Sequence, residues 1–212
     1  MAKYHKYVFD LENRKFIGDF ETMYQNEFKE NFDSWHQDDT RQLQRKIDLA
    51  ILEDYCFDKI VDIGCGKGSL THILKKKNNY VLGVDISKTA INIAQEKFPD
   101  IDFICTDVNE IQNFAALIEK MGGVVDLVFT SEVFSYIANW KELLKLISNI
   151  SEYFMISLYI PENPIGFIKD EKELVEEIAN NFEIIEYISL KKTNFVIVFA
   201  KNKNKPMEGI YE

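Results

Sequence analysis

Three glycines in five residues, within VDIGCGKGSL (61–70), constrain the fold of this chain more than any other feature. Gly64, Gly66 and Gly68 stand directly between a short apolar run that reads as a strand, KIVDI (59–63), and a segment of helical spacing, 67–77. Without side chains the backbone there can turn tightly and approach a ligand, so the stretch predicts a strand–turn–helix unit with a binding site at its mouth. The spacing narrows the ligand. A dinucleotide fingerprint needs G-x-G-x-x-G, whereas here the third glycine falls one position early and Ser69 takes the expected place. A phosphate-binding P-loop needs G-x-x-x-x-G-K-[ST], but Lys67 is followed by Gly68.

From Lys59 onward, apolar runs alternate with helical patterns. The runs 59–63, 80–85, 102–106, 124–130, 153–159, 182–190 and 195–200 read as strands, and 67–77, 88–97, 110–120, 139–150 and 170–180 as helices, with Ser87, Asn109 and Asn139 where N-caps would stand. The first four strands are nearly continuously apolar, as expected when helices cover both faces of a parallel sheet. Only a few residues, 191–194, join the last two runs, which permits a hairpin. The pattern predicts an α/β fold: a Rossmann-like, open, mostly parallel seven-stranded sheet with an antiparallel last strand and helices on both faces. Ahead of it, 19–30 and 40–55 read as amphipathic helices with no strand to join, separated by the aromatic, polar NFDSWHQDD (31–39). Residues 1–57 are therefore expected to be a helical extension whose segment 19–39 forms a lid. Residues 58–201 form the binding domain, and 202–212 a disordered tail.

A chain of 212 residues, 46% hydrophobic and 28% charged, can bury one substantial core. A net charge of -10 opposes binding to a phosphate backbone, and Lys75–Lys77 is too short a run to act as a nucleic-acid footprint. No stretch approaches the roughly 20 apolar residues of a membrane span, and MAKYHKYVFD lacks a signal-peptide core. Cys56, Cys65 and Cys105 lie far apart, without a CxxC pair, so neither a disulfide framework nor a metal cluster is expected. The reading is a cytoplasmic protein, monomer or homodimer, with a small-molecule partner and with no nucleic-acid or membrane partner.

Acids mark the ends of successive strands: Asp62 within the first, Asp85 closing the second, Asp107 just after the third. A carboxylate after strand two can accept both hydroxyls of a ribose, one beside Val108 suits an adenine amino group, and Asp62 suits an ammonium group. With these residues the chain resembles, over about 55–200, the class I methyltransferases that use S-adenosylmethionine. The resemblance implies that VDIGCGKG, with Asp62, Gly64, Cys65, Gly66 and Gly68, wraps the methionine part of that cofactor. It further implies that Asp85, followed by Ile86, holds the ribose and that Asp107 and Val108 hold adenine. DLVFTSEVFSYI (126–137) is similar to the family's fourth motif, placing Ser131 and Glu132 by the cofactor, with Tyr136 where many relatives have histidine. FETMYQNEFKENFDSWHQ (20–37) is similar to a segment of small bacterial methyltransferases related to nodulation protein S, with Ser34 replacing a proline. That similarity makes Tyr24 and Trp35 candidate covers of the cofactor.

Arg41 and Arg45 are expected to open the next helix at i, i+4, on one face, with Arg41 the candidate for the methionine carboxylate. His36, Glu132 and Tyr136 are the catalytic candidates. The implied activity is methyl transfer to an O or N nucleophile of a small acceptor, with a sugar, a nucleotide-linked or a surface-polysaccharide precursor among the candidates. A non-catalytic module that binds S-adenosylmethionine or S-adenosylhomocysteine is the alternative, ahead of an NAD-dependent oxidoreductase.

Overall fold

The computed structural model describes residues 3–39 and 41–203. The chain opens with α1 (His5–Val8), a hairpin of β1 (Phe9–Asp10) and β2 (Lys15–Phe16), α2 (Phe20–Glu30), a 3-10 turn (Ser34–His36) and α3 (Leu43–Glu53). Then come β3 (Lys59–Ile63), α4 (Ser69–Leu74), β4 (Tyr80–Asp85), α5 (Lys88–Lys97), β5 (Asp102–Cys105), α6 (Ile111–Lys120) and β6 (Val125–Ser131). After a 3-10 turn (Phe134–Tyr136) follow α7 (Trp140–Ile150), β7 (Ser151–Tyr159), α8 (Glu171–Asn181), β8 (Phe182–Leu190) and β9 (Phe195–Asn202).

Strands β3 to β9 form one seven-stranded sheet in the order β5-β4-β3-β6-β7-β9-β8. The pairs among β3 to β7 are parallel, while β9 runs antiparallel to both neighbours. The expected antiparallel strand is thus the last in the chain, and it sits between β7 and β8 rather than at the edge. Its five buried residues Val196–Ala200 explain the place, because only an interior strand hides both faces. The sheet reverses direction of growth between β3 and β6, and a crevice opens at the carboxyl ends of the strands at such a point.

The pleat divides the core. Val61, Ile63, Val128, Phe154 and Ile156 face Phe114, Leu143, Ile147, Leu174 and Ile178 of α6, α7 and α8. Ile60, Leu127, Phe129, Met155 and Phe199 face Leu52 of α3 and Leu74 of α4. α3, expected in the lid extension, is therefore one of the helices covering the sheet. β5 departs from the continuous apolar pattern: it is an edge strand in which Phe103 alone turns inward. Ser87 caps α5, its Oγ accepting from Ala90 N at 3.1 Å. Asn109 and Asn139 make no such cap: Asn109 Oδ1 accepts instead from Ala138 N at 2.9 Å, tying the loop after β5 to that after β6. Asn202, placed in the expected tail, ends β9 and its amide donates to Ser151 O at 2.9 Å; residues from 204 onward lie outside the described residues.

Candidate active site

A cavity of about 300 Å³ lies at the carboxyl edge of the sheet, between the loops after β3, β4, β5 and β6 and the N-terminal segment. Asp62 of β3 lines it with Gly64 and Cys65 of the first loop, Asp85 at the end of β4 with Ile86 of the second, Asp107 and Val108 from the third, and Ser131 at the end of β6 with Glu132 and Tyr136 of the fourth. Tyr24 and Trp35 close it from the N-terminal side. His36, Arg41, Gly66 and Gly68 are not among the lining residues.

The glycine turn is built by three different demands. Gly64 has φ 75°, and a Cβ there would overlap the side chain of Val133, so its bareness lets the loops after β3 and β6 meet. Gly66, φ 52°, donates its N–H to Asp85 Oδ2 at 2.9 Å, and a Cβ would collide with the Gln37 side chain lying over it. Gly68 starts α4 at φ 81° against the Phe103 ring. Gly66 and Gly68 therefore shape the turn without facing the cavity.

The carboxylates occupy distinct environments. Asp62 is 2% exposed, and Thr71 donates to its Oδ2 at 2.6 Å; burial pushes its carboxyl up to about 7 against that bond. Asp85 is also raised by burial, opposed by backbone N–H bonds from Ser87 and Gly66. Asp107 Oδ1 accepts from both the backbone N and the Nδ2 of Asn109, each at 2.9 Å. Glu132 has φ 62°, its N–H donates to Ser157 O at 2.8 Å, and burial raises its carboxyl while Arg45 lowers it. Burial holds the Tyr136 phenol well above its ordinary value, so it stays protonated. Its ring stacks on Phe16 at 5.7 Å and meets Phe20 at 5.4 Å and Trp35 at 6.2 Å. Phe16 and Phe20 also line the cavity.

Polar bonds fix the N-terminal segment over this edge. Glu21 accepts from Ser87 Oγ at 2.7 Å, Thr89 N at 3.0 Å and Thr89 Oγ1 at 2.7 Å; burial works against its charge, yet these bonds bring it down to about 2. Lys67, from the glycine turn, reaches Glu27 at 3.0 Å and Asp33 at 2.8 Å. Gln37 Oε1 accepts from Lys67 N at 2.7 Å, while its Nε2 donates to Tyr24 OH at 2.7 Å.

Two expectations about side chains change place. Arg41 precedes α3 rather than opening it, so the i, i+4 relation to Arg45 does not hold; its guanidinium is exposed and bonded to Asp39. Arg45 is the buried one and lines the cavity. His36 is exposed, 3.9 Å from Asp33, because the turn directs its ring outward. Gln37, Phe16 and Phe20 were not singled out by sequence; for the two rings the only signal is their i, i+4 spacing, which crosses from a strand into a helix.

A glycine turn at the reversal point of an open α/β sheet, with carboxylates at the carboxyl ends of three successive strands, defines a protein that binds a nucleoside-type ligand at its carboxyl edge. The methyltransferase-domain family model matches residues 61–152. The ubiquinone/menaquinone biosynthesis C-methyltransferase UbiE of Campylobacter jejuni strain 81-176 is 30% identical over 186 residues, 69% of this chain and 78% of that protein. Trans-aconitate 2-methyltransferase of Rhodopseudomonas palustris is 30% identical over 108 residues, 50% of this chain and 39% of that protein. In fold, the chain is similar to magnesium protoporphyrin IX methyltransferase of Synechocystis PCC 6803 with bound SAH, at a TM-score of 0.64 and 17% identity, covering 87% of this chain and 96% of that one. The chain belongs to the class I S-adenosylmethionine-dependent methyltransferases, and S-adenosylmethionine is its cofactor. Among the described residues no helix is long and apolar enough to cross a membrane.

Proposed function

We propose that this methyltransferase acts on a small acceptor, at an O or N nucleophile, enclosed between the loop after β6 and a lid formed by residues 19–39. The observation that carries the reading is the lining of one cavity by Asp62, Asp85 and Asp107 beside Gly64 and Cys65. This donor set fits the cofactor: a buried acid for its ammonium, a second for the ribose hydroxyls, a third with Val108 for adenine. Bound there, the cofactor supplies a methyl carbon already activated by the sulfonium charge.

What the protein adds is placement and exclusion of water. Trp35, Phe16, Phe20 and Tyr136 give the acceptor apolar walls, which suit the flat face of a ring, a sugar ring among them. Faces of such rings also attract a sulfonium by about 0.5–2 kcal/mol. Glu132, raised by burial, is placed to take a proton from an alcohol or ammonium acceptor, and Tyr136, held protonated, to donate a hydrogen bond. His36, pointing to solvent, is left out of this scheme. The relatives include a C-methyltransferase of quinone biosynthesis, a trans-aconitate methyltransferase and a magnesium protoporphyrin methyltransferase, so no single acceptor is carried over from them.

Titration calorimetry with S-adenosylmethionine, S-adenosylhomocysteine and NAD, followed by transfer of labelled methyl to a panel of sugars, amines and phenols, tests the reading. S-adenosylhomocysteine should bind and NAD should not. Label delivered only to carbon nucleophiles would replace the O or N assignment.

A further inference from the structure

One guanidinium ties together the strained parts of this site. Trp35 and His36 are consecutive non-glycine residues in the left-handed region, at φ 54° and 47°, and Glu132, across the cavity wall, is a third at 62°. Such residues are strained, so surrounding contacts must hold them. Arg45 supplies those contacts. Its Nη2 donates to Trp35 O at 2.9 Å, and its Nη1 to His36 O at 2.6 Å, Asp39 O at 2.9 Å and Gln37 O at 3.3 Å. Nη2 also lies 3.9 Å from Glu132 Oε1. The residue is 3% exposed, and α3, which carries it, is fixed to the sheet through Leu52.

We propose that Arg45 is the positioning residue of the active site: a single fork, anchored on the sheet-covering helix, sets both the Trp35 wall and the Glu132 carboxylate. The proposal rests on the acceptor-side reading of Trp35 and Glu132 given above. A planar fork can serve several carbonyls and a carboxylate at once, whereas a lysine ammonium is a point charge at the end of a flexible stem. The two tasks are therefore separable. Holding the 35–39 turn needs the fork, and setting the charge on Glu132 needs only the positive charge. The other groups acting on Glu132 are Gln44 and Asp48 from α3, His36 from the turn, and the phenols of Tyr4 and Tyr136, with Ser157 of β7 behind.

The test uses ligand-free protein in a Trp140→Phe background, which leaves Trp35 as the remaining tryptophan of the two in the chain. Acrylamide quenching reports the Trp35 wall. Carboxyl-carbon NMR, with Glu132 assigned by the signal lost in Glu132→Gln, reports the acid. Arg45→Lys should raise the quenching constant severalfold and leave the Glu132 titration at its wild-type position. Arg45→Gln should raise quenching equally and move the Glu132 titration upward. A purely structural role would lower the melting temperature without separating the two readouts. Unchanged quenching in a cooperatively melting Arg45→Lys protein overturns the proposal, as does a Glu132 titration unmoved in Arg45→Gln. If Arg45→Gln does not fold, the quenching of Arg45→Lys decides alone. Failure of wild-type protein to bind S-adenosylhomocysteine would instead sink the cofactor placement and leave these ligand-free measurements standing.

Discussion

The sheet and the segment that covers its carboxyl edge are held by different physics. In the sheet, Val61, Leu82, Val128, Phe154 and Val198 are fully or almost fully buried between layers of helix, and burial at about 25 cal/mol per Å² of apolar surface dominates. Residues 3–39 bury a smaller cluster around Val8, Met23 and Tyr24, which meets the sheet domain at Ala90 of α5 and at Tyr136. Their docking onto the sheet adds a short set of directional bonds: Glu21 to Ser87 and Thr89, Lys67 to Glu27 and Asp33, Gln37 to Lys67, and Arg45 to the 35–39 turn. Apolar burial resists change everywhere at once, but a handful of polar bonds can be released together. That is the property a cover over a ligand cavity needs, and it makes the boundary between the two regions the place to probe.

The strongest test of that boundary compares two glycines of one turn. A Gly64→Val side chain must displace Val133 and adopt a left-handed backbone; overpacking of 1–3 kcal/mol plus about 1–2 kcal/mol of backbone strain should cost roughly 3 kcal/mol or more of stability. Gly66→Val carries the same left-handed strain but meets only the movable end of Gln37, so its loss of stability should be about half as large, and cofactor affinity should fall through the displaced Gly66 bond to Asp85. Thermal melts and calorimetry with S-adenosylhomocysteine separate the two, and equal melting temperatures would erase the distinction between a glycine packed against the loop after β6 and one packed under Gln37.

Lys67→Met addresses the bonds directly. It leaves Glu27 largely buried and without its cation, at a cost of about 1–3 kcal/mol once the pair's partial exposure is allowed for. Hydrogen exchange should accelerate over 20–37 and stay unchanged in β3, β4 and β6. Uniform acceleration through the sheet would mean that the two regions unfold as one. In the wild-type protein, added S-adenosylhomocysteine should slow exchange across 19–39, and a segment equally protected without ligand would contradict the lid.

A third change tests the ligand side of the boundary. Asp85→Ala should weaken S-adenosylhomocysteine binding by about 1–3 kcal/mol, the range for losing a buried hydrogen-bonding partner. Asp85 also accepts from Gly66 and Ser87, so a melt must accompany the calorimetry. Wild-type affinity in a folded variant would remove the ribose assignment.

The two regions were also unequally legible in the sequence. β3, β4, β8 and α5 fall on the expected residues because apolar period and turn chemistry are local signals. α4 is shorter than the expected 67–77, since the Asn79 side chain accepts from Lys76 N and donates to Leu74 O, closing the helix early. In the N-terminal segment α1 and the two-residue strands β1 and β2 carry no period to read. The placement of Arg45 against Arg41, and of Gln37 against His36, depends on a turn with two left-handed residues that no spacing announces. Of the cavity, the acids and Gly64 were legible because they follow strands. Phe16 and Phe20 of the aromatic wall were not, although Trp35 and Tyr136 were, because the bonds of Glu21 and Gln37 that bring the N-terminal segment to the sheet span 68 and 30 residues and form only on folding.

The smallest expected effect concerns proton linkage at the floor of the cavity. Burial raises the Asp62 carboxyl to about 7 in the ligand-free protein, against an ordinary value near 3.8. Between those values the folded protein keeps a proton that the unfolded chain has released, so this group's contribution to stability is full at low pH and is lost as pH rises through about 7. Asp48, raised to about 7 by the same cause, acts in the same direction, whereas Glu21, lowered to about 2, gains its contribution above the ordinary carboxylate range and is constant from pH 5.5 upward. The ligand-free protein should therefore melt a few degrees lower at pH 8 than at pH 5.5, and Asp62→Asn should remove part of that difference. S-adenosylhomocysteine brings an ammonium group that favours ionised Asp62, so its stabilisation should be larger at pH 8 than at pH 5.5 in the wild type and nearly pH-independent in Asp62→Asn. A ligand-induced shift with the same pH dependence in both proteins would show that the ammonium is held elsewhere, and Asp62 would then belong with the sheet it grows from rather than with the site above it.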